Sequence, residues 1–304
     1  MAPTIGEALE HARRALAPSV QAHSDAAELV SRLLGLERGD LGPQHRRAVA
    51  PADWARLDAW LERRRSGEPV QYISGRAAFR SLDLAVGPAV LIPRPETEGL
   101  VEAVLGVLRA ERGRWPAPRV LDLGTGSGAI ALAIASEWPA AIVTATDASD
   151  EALGLARANA VALGLGERLR LANGHWFEAV GADELFEVVV SNPPYIATGE
   201  AGELPRDVRA FEPHAALFAG ESGLEALREI VDAAPEHLVA GGLLALELAE
   251  ARADLVAGWF EGGRDWSATE LLDDLAGHPR VLLARRERGP AIAPRQWPEE
   301  RSPS

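Results

Sequence analysis

The chain contains no cysteine and no lysine. The first absence removes disulfides, thiolate nucleophiles and thiolate metal sites together. The second makes all 31 basic residues arginine and excludes a Walker A loop, a Schiff-base lysine and a lysine general base. No apolar run approaches the roughly 18 residues of a membrane span, so no membrane is expected as a partner. The early chain carries Glu7, Glu10, Arg13 and Arg14, which does not fit a signal peptide, and the cytoplasm is the expected compartment. The histidines lack metal-ligand spacing, and no metal is expected. What remains is an ordinary globular composition, 47% hydrophobic and 25% charged. At 304 residues it is long enough for about two domains. The net charge is −14 and is carried from residue 71 onward, because residues 1–70 balance ten arginines against ten acids. An acidic chain of this kind is a poor binder of duplex DNA, whose affinity comes largely from phosphate neutralisation. No direct DNA binding is expected.

Residues 1–70 read as a small helical domain. Ile5, Ala8, Leu9, Ala12 and Leu16 keep a 3.6-residue period, as do Ala26, Leu29, Val30, Leu33 and Leu34. Asp25 is expected to cap the second helix and Asp53, after Pro51, to open a third. The run Arg63-Arg64-Arg65 reads as a solvated helix end. Residues 71–93 read as a hairpin linker: Phe79, Leu82, Leu84 and Val86 alternate before Gly87-Pro88, and Val90, Leu91 and Ile92 follow. PRPETEGLVEAVLGVL then starts a helix with prolines and acids at its N-terminus. From about residue 118 strands and helices alternate through to HPRVLLARR. The expected fold class is therefore α/β: residues 94–287 form a doubly wound, mainly parallel sheet. Residues 288–304, rich in Pro, Arg and Glu, read as a disordered tail.

LDLGTGSGAI places Gly124, Gly126 and Gly128 between a strand and a helix, where a missing Cβ permits a tight turn and close approach of a ligand. Nineteen residues after Gly128 the next strand ends on Asp147, an acid placed to accept hydrogen bonds from ribose hydroxyls. The spacing Gly124-x-Gly126-x-x-Ala129 also satisfies the dinucleotide fingerprint, so the loop alone does not name its nucleoside. Asp122, inside the first strand, favours an adenosyl ligand with a cationic amino-acid end, because a buried acid needs a partner and would repel a pyrophosphate.

The apolar strand ending SNPPYI supplies the second motif. Pro193 and Pro194 lack N–H groups, and each forces the residue before it to be extended. The corner carries backbone carbonyls and the side-chain carbonyl of Asn192, two acceptors at a fixed distance, suited to a planar NH2 group. Tyr195 offers an aromatic face for stacking. Ligands of open α/β sheets bind at the carboxyl ends of strands near the switch point, and NPPY follows the strand expected beside the glycine-loop strand. The chemistry that fits is methyl transfer to a planar nitrogen. Three other readings stay open on the residues alone. An exocyclic-amine methyltransferase acting on adenine or cytosine would present the same NH2. A nicotinamide-dependent oxidoreductase would use the glycine loop and leave NPPY unexplained. A non-catalytic binding module would make both motifs coincidental.

The stretches EPVQYISG (68–75), VLIPRPETE (90–98), LDLGTGSGAIALAIA (121–135), SNPPYI (191–196), FEPHAAL (211–217) and GLEALREI (223–230) resemble the glutamine methyltransferases of peptide chain release factors, the PrmC/HemK family. The resemblance spans about residues 5–285. It implies a helical N-terminal domain, a hairpin and a Rossmann-like seven-stranded methyltransferase domain. It also implies S-adenosylmethionine as cofactor and, as substrate and partner, the glutamine of the Gly-Gly-Gln motif in class-I release factors. Carried over by motif, Gly124, Thr125, Gly126, Ser127 and Gly128 would line the methionine part of the cofactor site, Asp147 would hold the ribose and Trp176 would lie near the adenine; Asp122 and Asn192 are also expected among the cofactor-binding residues. Asn192, Pro193, Pro194 and Tyr195 would hold and activate the substrate amide, with Thr97 and Glu98 bracing the site. The chain departs from the family pattern at His175, where an acid often precedes the Trp-Phe pair, and at Ala249 and Arg252, in place of a glycine and a glutamine.

Overall fold

A computed structural model describes residues 2–261 and 265–287. The tail expected over 288–304 lies outside the described residues. The chain divides into two compact units, Met1–Ala77 with Val86–Pro88 and Glu203–Glu212, and Ala78–Ala85 with Ala89–Gly202 and Pro213 onward.

The first unit is built on α1 (Ile5–Leu16), α2 (Ala22–Leu34), α3 (Pro51–Arg65) and the short α4 (Val70–Ser74). Thr4 and Glu7 start α1 with a reciprocal capping box: Thr4 Oγ1 accepts from the Glu7 N–H and Glu7 Oε2 from the Thr4 N–H. The periodic residues Ile5, Ala8, Ala12, Leu16, Ala26, Leu29 and Val30 join Leu57, Trp60 and Leu61 in one core. Two expectations need correction. Asp25 does not cap α2, which begins three residues earlier; its carboxylate instead pairs with Arg64 Nε at 2.7 Å. The arginine run is accordingly not simply solvated. The side chains of Arg64 and Asp25 are only 14% and 13% exposed, Arg63 forks onto Glu68, and Arg65 pairs with Glu62. Helix α3 starts at Pro51, the first-turn position where a missing N–H costs nothing, and Asp53 lies inside that turn.

A hairpin follows, β1 (Arg76–Phe79) with β2 (Leu82–Ala85), and its turn is at Arg80-Ser81. The sequence placed it later, with Gly87-Pro88 as the break. Arg80 adopts φ 51, a left-handed conformation unusual for a non-glycine residue. It is held there by Glu98, which accepts from its N–H at 2.8 Å, and by Glu102 and Glu137, which take its guanidinium.

The second unit continues with α5 (Pro95–Ala110), β3 (Arg119–Leu123), α6 (Ala129–Glu137), β4 (Ile142–Asp147), α7 (Asp150–Ala162), β5 (Leu169–Asn173) and β6 (Phe186–Ser191). After the short α8 (Arg206–Phe211), which belongs to the first unit, come α9 (Glu225–His237), β7 (Leu238–Glu247), α10 (Glu250–Gly258), β8 (Trp266–Asp273) and β9 (Pro279–Arg286). The strands form one seven-stranded sheet in the order β5-β4-β3-β6-β7-β9-β8, with β9 antiparallel to β7 and to β8. The continuous apolar runs of β3, β6 and β7 occupy its centre, where both faces are covered. Polar β8, with Ser267, Thr269 and Glu270 exposed, takes the edge. Helix α6 is apolar around most of its circumference and packs with α5 and the hairpin residues Phe79, Leu82 and Leu84 on one face of the sheet. Helices α9 and α10 supply the other face. The order reverses between β3 and β6, so the carboxyl ends of these two parallel neighbours flank the switch point.

Candidate active site

The glycine loop leaves β3 with three residues in left-handed conformations, Gly124 at φ 69, Gly126 at φ 55 and Gly128 at φ 84. A Cβ on Gly124 would stand 3.2 Å from the ring of Trp176, so the missing side chain lets the indole pack closely onto the loop. Trp176 itself has φ 47, and its indole N–H donates to Glu229 at 3.0 Å. His175, where the family pattern often has an acid, bonds to the same Glu229 oxygen at 2.8 Å. The loop is held from three sides. Thr125 Oγ1 donates to Asp122 Oδ2 at 2.7 Å, Gly126 N–H to Asp147 Oδ2 at 2.8 Å, and buried Asn159 donates to the Ser127 carbonyl at 2.9 Å. Asn159 also makes a two-way bond with the backbone of Ala85, tying hairpin to loop. Its role was invisible in the sequence, where an asparagine inside a helix carries no signal.

Asp122 is wholly buried. Burial pushes its carboxyl up to about 7, against the pull of the Thr125 hydroxyl and the Ala131 N–H. Its Oδ1 has no partner among the described residues. A buried acceptor left open is costly unless something fills it. The orphaned oxygen fits a ligand with a cationic amino end, which S-adenosylmethionine has. Asp147 ends β4 and is partly exposed; besides Gly126 it accepts from the Ser149 N–H at 2.9 Å, and carboxylate lone pairs remain for ribose hydroxyls.

Ser191 is register partner to Leu123, and its hydroxyl donates to the Leu123 carbonyl at 2.7 Å. Asn192 and Gly124 are the next residues on each strand. The proline corner and the glycine loop therefore leave the sheet side by side. The Asn192 side chain turns its nitrogen inward: Nδ2 donates to Thr97 Oγ1 at 3.1 Å. No donor among the described residues reaches its Oδ1. Thr97 thus joins the corner, whereas Glu98 is engaged by the hairpin turn. Tyr195 is partly buried, and its phenol is pushed up to about 12 by burial and then by the Glu247 carboxylate.

Glu247 is the site residue that sequence reasoning missed. It ends β7 one residue past Leu246, the register partner of Ser191, and so lies beside Asn192; it is 2% exposed, its carboxyl is influenced by Thr97 and Asn192, and its Oε2 lacks a partner among the described residues. Burial, reinforced by Glu96, pushes it up to about 7. The available signal was an acid at the carboxyl end of an otherwise apolar strand. Two further departures from the family pattern lie close by. Arg252 bonds to both carboxylate oxygens of Glu200 at 2.9 Å and to the Ser222 carbonyl, closing the segment that follows the corner. Ala249 provides the N-cap position of α10.

Residues 7–75 match the PrmC N-terminal domain family and residues 102–204 the methyltransferase small domain family. A release factor glutamine methyltransferase of Koribacter versatilis is 40% identical over 279 residues, which cover 92% of this chain and 96% of the relative. One from Pseudomonas aeruginosa is 43% identical, covering 89% of this chain and 95% of the relative. Among solved structures, a methyltransferase from Pyrococcus furiosus superposes with a TM-score of 0.50 at 24% identity over 70% of this chain and 91% of its own, a likeness of fold. With paired motifs at the switch point and relatives matched over nearly their full length, the chain belongs to the release factor glutamine methyltransferase family.

Proposed function

We propose that this chain transfers a methyl group from S-adenosylmethionine to the side-chain amide nitrogen of the glutamine in the Gly-Gly-Gln motif of class-I peptide chain release factors. The observation that carries the reading is the free carbonyl of Asn192, set one residue beyond the strand pair that also launches the glycine loop. When bound, the cofactor supplies an electrophilic methyl on a sulfonium that needs no activation by the protein.

The difficulty lies with the nucleophile, whose lone pair is delocalised into the amide. Asn192 Oδ1 and the Pro193 carbonyl accept the two N–H hydrogens, which returns electron density to nitrogen and aims it. Pro194 keeps the corner rigid, because no N–H is present to turn it towards a ladder. Tyr195 gives the flat amide a face. No side-chain nucleophile is required. As the N–CH3 bond forms the S–CH3 bond breaks, leaving the neutral thioether S-adenosylhomocysteine, and the nitrogen gives up one of its two hydrogens as a proton to solvent. The protein's contribution is positioning and electrostatics. Specificity follows from the same contacts. A glutamate in place of the glutamine would set its oxygens against the corner's acceptors, and a site built for an N–H group rejects an analogue lacking it by roughly 10⁴–10⁵.

The test is transfer from labelled S-adenosylmethionine to a purified class-I release factor, to the same factor with the motif glutamine replaced by glutamate, and to DNA. Label on the first alone is the expected result. Label on DNA would move the substrate to an exocyclic base amine, and no label on any acceptor would remove the reading.

A further inference from the structure

Asn and Gln side chains have a flip problem. The oxygen and nitrogen ends are nearly the same size, so shape alone cannot decide which one faces a ligand. For the corner described above the choice matters: with the nitrogen outward, two donors would face the N–H groups of an amide. Something must fix the orientation, and Thr97 alone cannot. Its hydroxyl can either donate or accept, and it would satisfy Asn192 either way round.

Glu247 removes the ambiguity. An ionised carboxylate only accepts. Set beside Asn192 by the β6–β7 register, where Ser191 faces Leu246, it would take the threonine hydrogen to its side and leave the Oγ1 lone pairs to accept from Asn192 Nδ2, the bond present at 3.1 Å. Its negative charge next to Asn192 also favours the nitrogen end of the amide on that side. Flipping the amide would place Asn192 Oδ1 against the carboxylate and against a threonine with no hydrogen to offer. We propose that Glu247 is a positioning residue which, acting directly and through Thr97, takes up the nitrogen end of Asn192 so that the oxygen end is the one presented to substrate. The orientation rests on the Asn192–Thr97 bond and on the register that sets Asn192 beside Glu247, and its catalytic consequence rests on the amide-methylation reading above.

The cost of this arrangement is visible. Glu247 is 2% exposed, its Oε2 has no partner among the described residues, and the apolar β7 residues Leu244, Ala245 and Leu246 precede it. A residue kept only for stability would not be a half-satisfied buried acid. The charged groups acting on it are Glu96 on α5 and Arg280 on β9; it in turn acts on the Tyr195 phenol, which Arg280, Arg94 and Glu96 also influence. Burial outweighs Thr97 and, after it, Arg280 and Asn192, and pushes the carboxyl up to about 7. Below that value the protonated acid can itself donate, the direction of the Thr97 hydrogen is no longer imposed, and the amide is free to turn.

The experiment uses the full-length protein with Glu247→Gln and Glu247→Leu. The ¹⁵N–¹H pair of the Asn192 side chain is assigned as the one missing from the spectrum of Asn192→Ala. In the wild type that pair should shift with pH around a midpoint near 7, and in both variants the midpoint should vanish. With a class-I release factor as acceptor, Glu247→Leu should lower kcat at least ~10-fold while S-adenosylmethionine affinity stays within about threefold, the mark of an interaction made in the transition state. Glu247→Gln, which keeps one acceptor but can also donate, should retain an intermediate kcat without the wild-type rise through pH 7. Neither variant should melt below the wild type at pH 8, since each removes a buried acid. An Asn192 pair indifferent to pH and to both substitutions would overturn the proposal, even if one variant proved too unstable to assay. Should the wild type fail to label the release factor, the substrate reading falls while the spectra still decide the orientation of Asn192.

Discussion

Asp147 Oδ2 accepts the backbone N–H of Gly126 at 2.8 Å, across the gap between the end of β4 and the glycine loop. Its other oxygen accepts the Ser149 N–H at 2.9 Å, so the two halves of one carboxylate hold two different backbone segments. Asparagine has only one such oxygen and cannot serve both. Asp147→Asn is expected to lower S-adenosylmethionine affinity at least tenfold, and Asp147→Ala further. Asp147→Ala should also cost ~1–3 kcal/mol of stability, the usual loss for an orphaned charge-assisted bond. Calorimetric titration of the cofactor and denaturant unfolding measure the two effects separately. Unchanged cofactor affinity in both variants would leave Asp147 as a loop brace alone.

Asn192→Ala removes the side-chain acceptor of the corner and leaves the glycine loop untouched. Transfer to a release factor should fall below detection while S-adenosylmethionine affinity changes by less than about tenfold, or ~1.4 kcal/mol. A collapse of both would mean that Asn192 holds the cofactor more than the substrate. Filter-bound label and a direct binding isotherm on the same preparation decide between these outcomes.

The sheet was legible because its central strands are apolar runs flanked by turn residues, and the corner was legible because two prolines in succession after such a run have few other uses. The parts missed depend on contacts far apart in the chain. Nothing local to GGLLALELA says that Glu247 meets Thr97, and nothing local to helix α7 says that Asn159 reaches Ala85 and Ser127. Helix α10 escaped notice because only Ala253 and Val256 of it are buried, too sparse a pattern to register as a period. The hairpin turn was misplaced because its left-handed residue is an arginine, stabilised by glutamates 18 and 57 positions away rather than by its own preference.

The pH dependence of stability follows from Asp122. Its carboxyl is raised from 3.8 to about 7 by burial, so the folded protein holds this proton over a range where the unfolded chain has released it. The stability contributed by the neutral acid is therefore full below about pH 4 and is lost as the pH rises through about 7. Asp122→Asn keeps an acceptor for Thr125 and carries no charge. At pH 8, without cofactor, it should be more stable than the wild type by an amount on the order of 1–4 kcal/mol, with the difference shrinking towards zero near pH 4. The same substitution should weaken S-adenosylmethionine binding, because the cationic amino group loses its anionic partner. Urea unfolding across the pH range tests the first statement; a constant difference between the two proteins would assign the titration to another group.

Gly223 packs against the backbone of Tyr195 and Ala197. It has φ 74, and a Cβ there would fall 2.7 Å from the Tyr195 carbonyl, 2.8 Å from the Ala197 nitrogen and 2.9 Å from Arg252 Nη2. The first two are backbone atoms and cannot rotate away. Gly223→Ala must therefore push the segment after the corner outward, or strain its own backbone, at a cost of ~2–4 kcal/mol. Because the Arg252–Glu200 pair closes the same segment, the displacement should be shared with it rather than absorbed at one residue. The expected signature is a lowered melting temperature together with a raised KM for the release factor, while cofactor affinity, set on the other side of Asn192, is preserved. Loss of cofactor binding in a folded Gly223→Ala protein would show that the loop and the corner move as one piece.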